Sequence, residues 1–306
     1  MVRLRLDLAY DGGAFYGWAK QPTLRTVQGE LEQALHTILR VPADDPDEPL
    51  RLTVAGRTDT GVHALHQVCH LDVGEATLDR CVGHMGVPAP EALFRRLSRM
   101  VPDDIAIHAV SVAPKGFDAR FSALERTYVY RICDDARPVD PRMRGFVLPL
   151  DDRLDLDAMN AAAAMTIGLH DFGSFATPNP GGTTIREVKR AHWSRIPVSP
   201  LVPGASGGAG TAGGYTVPAA ESGLVCFTIV ADAFARNMVR SLVNACVKVG
   251  QGRKDLNWFA EKMATPLREG STGPIAPQGL TLEHVAYPAA DQLAARAEAI
   301  RAKRTL

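Results

Sequence analysis

Hydrophobic and polar residues alternate in some stretches of the chain and recur at helical spacing in others. Residues 4–10 alternate aliphatic and polar side chains, which is typical of a half-buried strand. After Thr26 the apolar residues Val27, Leu31 and Leu35 recur every four positions, so they share one stripe of a helix. The pattern predicts a helix over residues 26–40 with Thr26 as its N-cap.

The same criteria assign most of the remaining chain to short elements. Further strands are predicted at residues 51–56, 67–73, 105–112, 126–132, 183–193, 224–232 and 282–287. Further helices are predicted at residues 88–100, 155–167, 235–249 and 256–264. Strands that follow one another directly, with helices interspersed, predict an α+β protein with mainly antiparallel sheets. The second part of the chain repeats this order, so we expect two fused, pseudo-symmetric halves with a central cleft where their sheets join.

These halves are expected over residues 1–115 and 116–288. Residues 197–222 change in composition to glycine, alanine, proline and serine, which predicts a flexible insert between two strands and not a domain boundary. An alanine-rich C-terminal stretch over residues 289–306 predicts a solvated tail helix.

Composition excludes several protein classes. With 306 residues, 46% of them hydrophobic, the chain is long enough to bury a core, and no apolar run approaches the roughly 20 residues that a membrane span requires. The five cysteines include no C-x-x-C pair, which argues against a disulfide framework and a four-thiolate zinc site. We therefore expect a soluble cytoplasmic protein. The net charge is zero, so a nucleic acid could be bound only if basic residues are segregated onto one face.

The most unusual segment lies between two predicted strands. It places Arg57 and Asp59 two residues apart in a turn with glycine at both ends, Gly56 and Gly61. Glycine allows close approach of another backbone, so this turn could hold a carboxylate on the floor of a cleft. Taken alone, the segment is better explained as an ordinary hairpin turn whose Asp side chain bonds its own backbone.

Two other motifs have weaker chemical interpretations. His63, His66, Cys69 and His70 have metal-binding side chains, but in a strand His66 and His70 would lie about 13 Å apart, too far to share an ion. Residues 12–17 have the glycine density of a phosphate-binding loop but lack its Lys-Ser/Thr ending. We expect no metal site at the first motif, and at the second a turn that borders a ligand-binding site or is simply a turn.

Ordered blocks across nearly the whole chain resemble the TruA-type tRNA pseudouridine synthases. The block around Asp59 is Gly56-Arg57-Thr58-Asp59-Thr60-Gly61-Val62-His63-Ala64. The others are Tyr10-Asp11-Gly12, Phe15-Tyr16-Gly17-Trp18, Thr26-Val27-Gln28-Gly29, Phe117-Asp118-Ala119-Arg120-Phe121-Ser122, Arg126-Thr127-Tyr128-Val129-Tyr130, His170-Asp171-Phe172, Met238-Val239-Arg240 and Gly279-Leu280-Thr281-Leu282. A single block would be weak support, whereas several in order are strong.

The resemblance implies both a reaction and the residues that perform it. The family converts uridine to pseudouridine in the anticodon stem-loop of tRNA, at positions 38 to 40, and acts as a homodimer. This isomerisation is not a redox reaction and needs no cofactor. By resemblance Asp59 is the catalytic carboxylate and Arg240 its counter-ion, Tyr128 stacks on the flipped base, Arg57 assists entry of the nucleotide, and Leu280 lines the pocket.

Three of these roles agree with what the residues themselves indicate. A buried carboxylate tends to become protonated unless a cation lies nearby, and Arg240 lies in a predicted helix whose apolar face (Phe234, Met238, Leu242) would press it toward the cleft. Tyr128 and Tyr130 are two apart in a strand and therefore face the same side. A non-catalytic RNA-binding protein of the same fold is the alternative, although binding an anion does not require a buried carboxylate.

Overall fold

The computed structural model of this protein describes residues 1–135, 139–178, 182–198 and 219–301. The helices in these ranges are α1 (Val27–Leu39), α2 (Glu75–Arg80), α3 (Ala89–Met100), α4 (Leu156–Ala164), α5 (Met238–Gly250), α6 (Leu256–Ala264) and α7 (Leu293–Arg301). The strands are β1 (Val2–Tyr10), β2 (Thr53–Val54), β3 (His63–Val73), β4 (Ile105–Val112), β5 (Glu125–Cys133), β6 (Leu148–Pro149), β7 (Gly168–Asp171), β8 (Ile185–Arg195), β9 (Val225–Ala231) and β10 (Leu280–Ala286).

All of these strands belong to one sheet, whose main path runs β4-β1-β3-β10-β5-β9-β8-β7. Pairing along this path is antiparallel except where β10 runs parallel to β3, with Thr281 opposite His63 and Leu282 opposite Ala64. The prediction of an α+β protein with mainly antiparallel pairing is confirmed. The last strand among the described residues, β10, therefore lies at the centre of the sheet, between strands from the two predicted halves.

Alternation and helical spacing place the core as predicted. Leu4, Leu6 and Leu8 on β1 are fully buried, and so are Val27, Leu31 and Leu35 on α1. Burial of each such side chain contributes about 1.5 to 3 kcal/mol relative to exposure. The Thr26 hydroxyl accepts a hydrogen bond from Gly29 N at 3.2 Å, as expected of an N-cap. Among the described residues, no helix is both long and apolar enough to span a bilayer.

Several predicted boundaries were wrong, and each error has a tertiary cause. Strand β3 begins at His63 rather than at residue 67, because β1 and β10 supply pairing partners that lie far away in sequence. Helix α5 begins at Met238 rather than at residue 235, because Asn237 adopts a left-handed conformation with φ 63°. Phe234 therefore lies outside the helix, and its ring packs edge-on against Tyr128. Helix α2 and the short strands β6 and β7 were missed.

The predicted insert connects two adjacent antiparallel strands, β8 and β9. At its ends Ile196 and the segment before β9 exchange backbone hydrogen bonds, from Ile196 N to Leu224 O and from Gly223 N to Ile196 O, both at 2.9 Å. Residues 199–218 of the insert lie outside the described residues. The predicted tail helix corresponds to α7, and residues 302–306 are likewise outside them.

A close backbone approach at Gly12 yields a stability prediction. A Cβ atom at this position would overlap the Val62 carbonyl, which is backbone and cannot swing aside. We expect Gly12→Ala to lower the free energy of unfolding by about 3 kcal/mol, at the upper end of overpacking costs. Gly145→Ala is the matched control, because nothing lies within 4 Å of its added Cβ. Urea unfolding measures both, and an equal effect of the two substitutions would contradict the prediction.

A buried ion pair away from the cleft yields a pH prediction. The Asp134 carboxylate is 0% exposed and accepts two hydrogen bonds from Arg195, at 2.6 and 2.7 Å, and one from Leu154 N at 3.0 Å. Burial raises the pKa of Asp134, but its hydrogen bonds and the arginine charges outweigh burial and hold that pKa below its ordinary value. Its stabilisation is therefore present above pH 3.8 and is lost as the pH falls below that value, because the unfolded chain takes up the proton first.

We expect Asp134→Asn to lower the free energy of unfolding at pH 7 by about 3 kcal/mol, because it leaves a charged partner uncompensated. The difference from the parent protein should shrink as the pH is lowered from 5 to 3 in urea titrations. Asp152→Asn removes an exposed partner of Arg253 and should cost less than about 1 kcal/mol. A pH-independent difference between Asp134→Asn and the parent would refute the assignment.

Candidate active site

The turn that carries Asp59 connects β2 to β3 and is held by backbone hydrogen bonds on both sides. Val62 N donates to Asp59 O at 3.2 Å and closes the turn, and Gly61 within it has φ 76°, a conformation that favours glycine. The segment after β1 clamps the turn from outside, with Trp18 N bonded to Thr58 O at 3.1 Å and Gly61 N bonded to Phe15 O at 3.2 Å. The backbone on both sides of Asp59 is thus fixed before any ligand binds.

A buried chain of side-chain hydrogen bonds supports this turn from below. Gln67 Nε2 donates to Gly56 O at 2.9 Å and to the Tyr10 hydroxyl at 3.2 Å. The Tyr10 hydroxyl in turn lies 2.8 Å from Thr58 Oγ1. Burial raises the pKa of Tyr10 to about 12, so this hydroxyl keeps its proton at neutral pH. The chain ties both residues that flank Arg57 to the sheet.

Arg240 approaches the same place from the first turn of α5. Its Nε donates to Ile275 O at 2.7 Å, and Ile275 N donates back to Arg240 O at 3.2 Å. Ahead of the helix, Asn237 is held by a bond from its Nδ2 to Thr177 Oγ1 at 2.8 Å. The N-terminus of α5 is thereby oriented toward the Asp59 turn, where its partial positive charge favours an anion.

Asp59 experiences opposing effects on its charge. Burial raises the pKa of the carboxyl, whereas the Arg240 and Arg236 guanidiniums and a backbone hydrogen bond at Asn237 lower it, and burial prevails. Burial likewise lowers the pKa of Arg240 more than the Asp59 charge raises it. In the described part of the chain the two side chains make no ion pair of 4.0 Å or less, so Arg240 acts on the carboxylate through space.

Tyr128 and Leu280 form the apolar wall of the site. Tyr128 is buried on β5, its ring meets Phe234 edge-on at 5.1 Å, and the Asp59 charge is near enough to raise its pKa further after burial and Tyr10. Tyr130 points to the same face, as the two-residue spacing predicts, and its hydroxyl bonds Ala276 O at 2.7 Å. Leu280 is buried at the start of β10, opposite Tyr130.

One cleft of about 1410 Å³ brings together all five residues predicted for the site: Asp59, Arg240, Tyr128, Arg57 and Leu280. Its walls are strongly basic although the whole chain is neutral. Nine described residues of the lining are cations: Lys20, Arg51, Arg57, Arg120, Arg126, Arg186, Arg236, Arg240 and Arg296. Three are acids: Glu32, Asp59 and Asp232. Segregated positive charge of this kind attracts a polyanion into the cleft.

The histidines near the turn have separate structural partners. His63 Nδ1 accepts from Gly12 N at 3.1 Å, and His70 Nδ1 accepts from Ala119 N at 3.0 Å. His66 lies between Asp7 Oδ1 at 2.9 Å and the ring of His284, whose Nδ1 is 3.0 Å away. No group of three or more metal-ligating side chains in the described ranges is arranged to hold an ion.

The glycine-rich segment after β1 buttresses the Asp59 turn. Residues Gly12–Ala14 form one turn of 3-10 helix, capped by the Asp11 side chain. Gly12 packs against the Val62 backbone, and at Gly17, where φ is 85°, an added Cβ would lie 2.8 Å from Thr58 O. This agrees with the interpretation of residues 12–17 as a turn bordering the site.

Sequence reasoning did not assign roles to several residues that the structure places at the site. Arg236 is exposed beside Asp59 just before α5, and Arg126 lies in the cleft wall on β5. A signal for Arg126 was present, because the alternation that pairs Tyr128 with Tyr130 also places Arg126 on their face. No local pattern indicates the Tyr10–Thr58–Gln67 chain, since its members meet only when β1, β3 and the turn assemble.

Comparison of the sequence with known proteins identifies its family. A family model described as tRNA pseudouridine synthase matches residues 162–288. Over all 306 residues, and over the whole length of the relative, the chain is 72% identical to a tRNA pseudouridine synthase A of Bifidobacterium longum. This chain belongs to the tRNA pseudouridine synthase A family. The resemblance inferred from the sequence motifs is therefore confirmed.

Other members of the tRNA pseudouridine synthase A family match over similar lengths. The relative from Bifidobacterium animalis subsp. lactis is 68% identical over the full length of both chains. The relative from Streptomyces griseus subsp. griseus is 45% identical over 100% of this chain and 95% of its own. The family model includes Arg240 and Leu280, whereas Arg57, Asp59 and Tyr128 lie in the part matched only by the full-length relatives.

Proposed function

We propose that this protein is an enzyme that isomerises uridine to pseudouridine in tRNA, with Asp59 as its catalytic carboxylate. The observation that carries the proposal is a half-buried carboxylate in the wall of a cleft whose lining holds nine cations and three acids. The cations suit the phosphates of an RNA backbone, which dominate affinity for nucleic acids. A carboxylate among these cations weakens the binding of an anionic ligand. We therefore assign it to the chemistry performed on the ligand and not to binding.

The reaction breaks the bond between the ribose C1′ and N1 of uracil and forms a bond between C1′ and C5. A proton leaves C5 and a proton is gained at N1, so atoms and electrons balance without a co-reactant. Asp59 acts in its ionised form, either as a nucleophile on the nucleoside or as the base that removes a sugar proton. Both roles require the desolvated carboxylate to remain charged, which Arg240, Arg236 and the N-terminus of α5 favour.

The remaining residues of the site bind and orient the nucleotide. The target base must leave the RNA stack to reach Asp59, and the ring of Tyr128 offers a surface on which it can stack. Leu280 completes the apolar side of the pocket. Arg57 is exposed at the cleft and holds a phosphate or occupies the space that the extruded uridine leaves.

The finer features of the proposal rest on the family resemblance. They are modification of positions 38 to 40 in the anticodon arm, action as a homodimer without a cofactor, and residence in the cytoplasm. Two chains in a dimer would let one tRNA contact basic residues of both. The division into halves at residues 1–115 and 116–288 is proposed with them.

The alternative is a protein of the same fold that binds RNA without modifying it. The desolvated Asp59 speaks against it, because burial raises the pKa of this carboxyl and so disfavours its charge in the folded protein. A binding protein would gain both stability and affinity by replacing it. Retention of an unfavourable charge beside two arginines is expected of a reactive group.

The test is to incubate unmodified tRNA transcripts with the protein and to map pseudouridine by mass spectrometry after nuclease digestion. We expect pseudouridine in the anticodon arm, and none in matched transcripts with cytidine at positions 38 to 40. Filter binding at several salt concentrations measures affinity separately and should show a steep loss with salt. Salt-sensitive binding without product would support the non-catalytic alternative instead.

A further inference from the structure

Arg126 is a buried cation that donates its hydrogen bonds to neutral backbone carbonyls in the described part of the chain, while the Asp232 carboxylate acts on it through space. It lies on β5 in the cleft wall and is 7% exposed. Its guanidinium donates from Nη1 to Asp232 O at 2.6 Å, and from Nη2 to Ala55 O at 2.5 Å and to Arg120 O at 2.9 Å. In the described part of the chain, each acceptor of its hydrogen bonds is a backbone carbonyl oxygen.

This arrangement is costly for folding alone. Burial lowers the pKa of Arg126, so the protein bears a desolvation cost that the three carbonyl dipoles and the nearby Tyr287, Tyr128 and Asp232 side chains only partly offset. Elsewhere in the protein, the buried carboxylate of Asp134 has a charged partner in Arg195. A neutral residue of similar length would fill the Arg126 position at a lower free-energy cost. The presence of a guanidinium there indicates that it serves another purpose.

The three carbonyls belong to the segments that must be aligned for the reaction. Ala55 lies four residues before Asp59, and Asp232 lies four residues before Arg236 and eight before Arg240. Arg120 lies in the loop that leads into β5, and Tyr128 follows Arg126 by two residues on the same face. A planar guanidinium has donors in a fixed fork, so it holds these segments at defined relative positions.

We propose that Arg126 is a positioning residue that couples the Asp59 turn to the segment bearing Arg236 and Arg240, and so sets the geometry in which the carboxylate is kept charged. This inference rests on the proposed function. Misplacement of a catalytic group by about 1 Å can cost roughly 10²-fold in rate. In this proposal the effect of Arg126 on the reaction passes through Asp59.

The test compares Arg126→Lys and Arg126→Gln with the parent protein. Lysine keeps the charge but cannot donate to all three carbonyls at once, because its ammonium lacks the planar fork of a guanidinium. Glutamine is neutral, so its burial costs less desolvation free energy. We expect kcat on unmodified tRNA to fall by 10-fold to 10²-fold in both, with KM changed less than threefold. The acidic limb of the pH profile should move to higher pH, because Asp59 is separated from Arg240 and becomes easier to protonate.

A second measurement does not depend on turnover. Carbon-13 NMR of the Asp59 carboxyl, assigned by its loss in Asp59→Asn, reports the pKa of this group directly, and we expect that pKa to rise in both variants. Arg195→Lys is the control, because Arg195 also holds its neighbours through its guanidinium, which bonds Asp134 and Gly223 O, but it lies outside the cleft. It should lower stability without moving the pKa of Asp59.

The outcomes are distinct. A folded Arg126→Gln with the parent's kcat and the parent's pKa for Asp59 would overturn the proposal, and so would failure of both variants to fold, since Arg126 would then serve structure alone. If the parent itself forms no pseudouridine, the proposed function fails, and the NMR titration still decides whether Arg126 positions Asp59.

Discussion

Asp59→Asn is expected to abolish pseudouridine formation, with a loss of at least about 10⁴-fold in kcat. Asparagine has nearly the same size, but its amide neither attacks a carbon atom nor accepts a proton from the sugar. Affinity for tRNA should be retained or rise slightly, because a negative charge leaves a basic cleft. Single-turnover assays and filter binding on the same tRNA separate the two quantities.

The same substitution should raise stability. The folded state raises the pKa of Asp59, so the ionised carboxylate destabilises the fold at neutral pH, and asparagine avoids this cost. In the parent enzyme, activity should decline with acidification at a pH above the ordinary value of 3.8 for an aspartate. Asp72→Asn, which disturbs an exposed pair with Arg3, is the control for loss of a carboxylate. Residual activity of Asp59→Asn above 1% would rule out the catalytic assignment.

Arg240→Met is expected to give the second largest loss, roughly 10³-fold in kcat/KM at pH 7, comparable to removal of a preorganised electrostatic group. Removal of the guanidinium takes away the largest effect that lowers the pKa of Asp59, so that pKa rises further. The acidic limb of the pH profile should therefore move to higher pH, and part of the loss should be recovered at pH 9. Stopped assays across pH 5 to 9 measure this shift.

Arg240→Lys provides the graded comparison. It retains the charge but loses the 2.7 Å hydrogen bond from Arg240 Nε to Ile275 O, which fixes the position of the side chain. We expect an intermediate rate and a smaller displacement of the acidic limb. Arg142→Met removes an exposed arginine that pairs with Asp140 outside the cleft, and it should change neither quantity. If Arg240→Met had an acidic limb identical to the parent's, the electrostatic role of Arg240 would be untenable.

Much of the fold was accessible from side-chain periodicity. Strand β1, helix α1 and the buried face of β5 follow from alternation or helical spacing, because the same residues that repeat in sequence are those that reach the core. The missed elements have weak local signals. Strand β7 has four residues and β6 has two, and their pairing partners on β8 and β5 define them as strands.

The residues that the sequence motifs single out line one cleft. The glycine-bracketed turn indicated a carboxylate, Asp59, at the floor of a cleft, and the two-residue spacing on β5 predicted that Tyr128 shares a face with Tyr130. The charge state of Asp59 was less accessible. It depends on how far burial outweighs Arg240, Arg236 and the Asn237 backbone, and each of these contributions changes with distance and with solvent exposure.

By itself the sequence determined the α+β class, the main core positions and the family, because periodicity and ordered motifs are properties of neighbouring residues. The tertiary structure alone decided that β10 enters the sheet between β3 and β5, that basic residues gather along one cleft of a neutral chain, and that Arg126 hydrogen-bonds to both Ala55 and Asp232. The physical reason is that pairing, burial and charge interactions act through space, between groups that may be more than 100 residues apart along the chain.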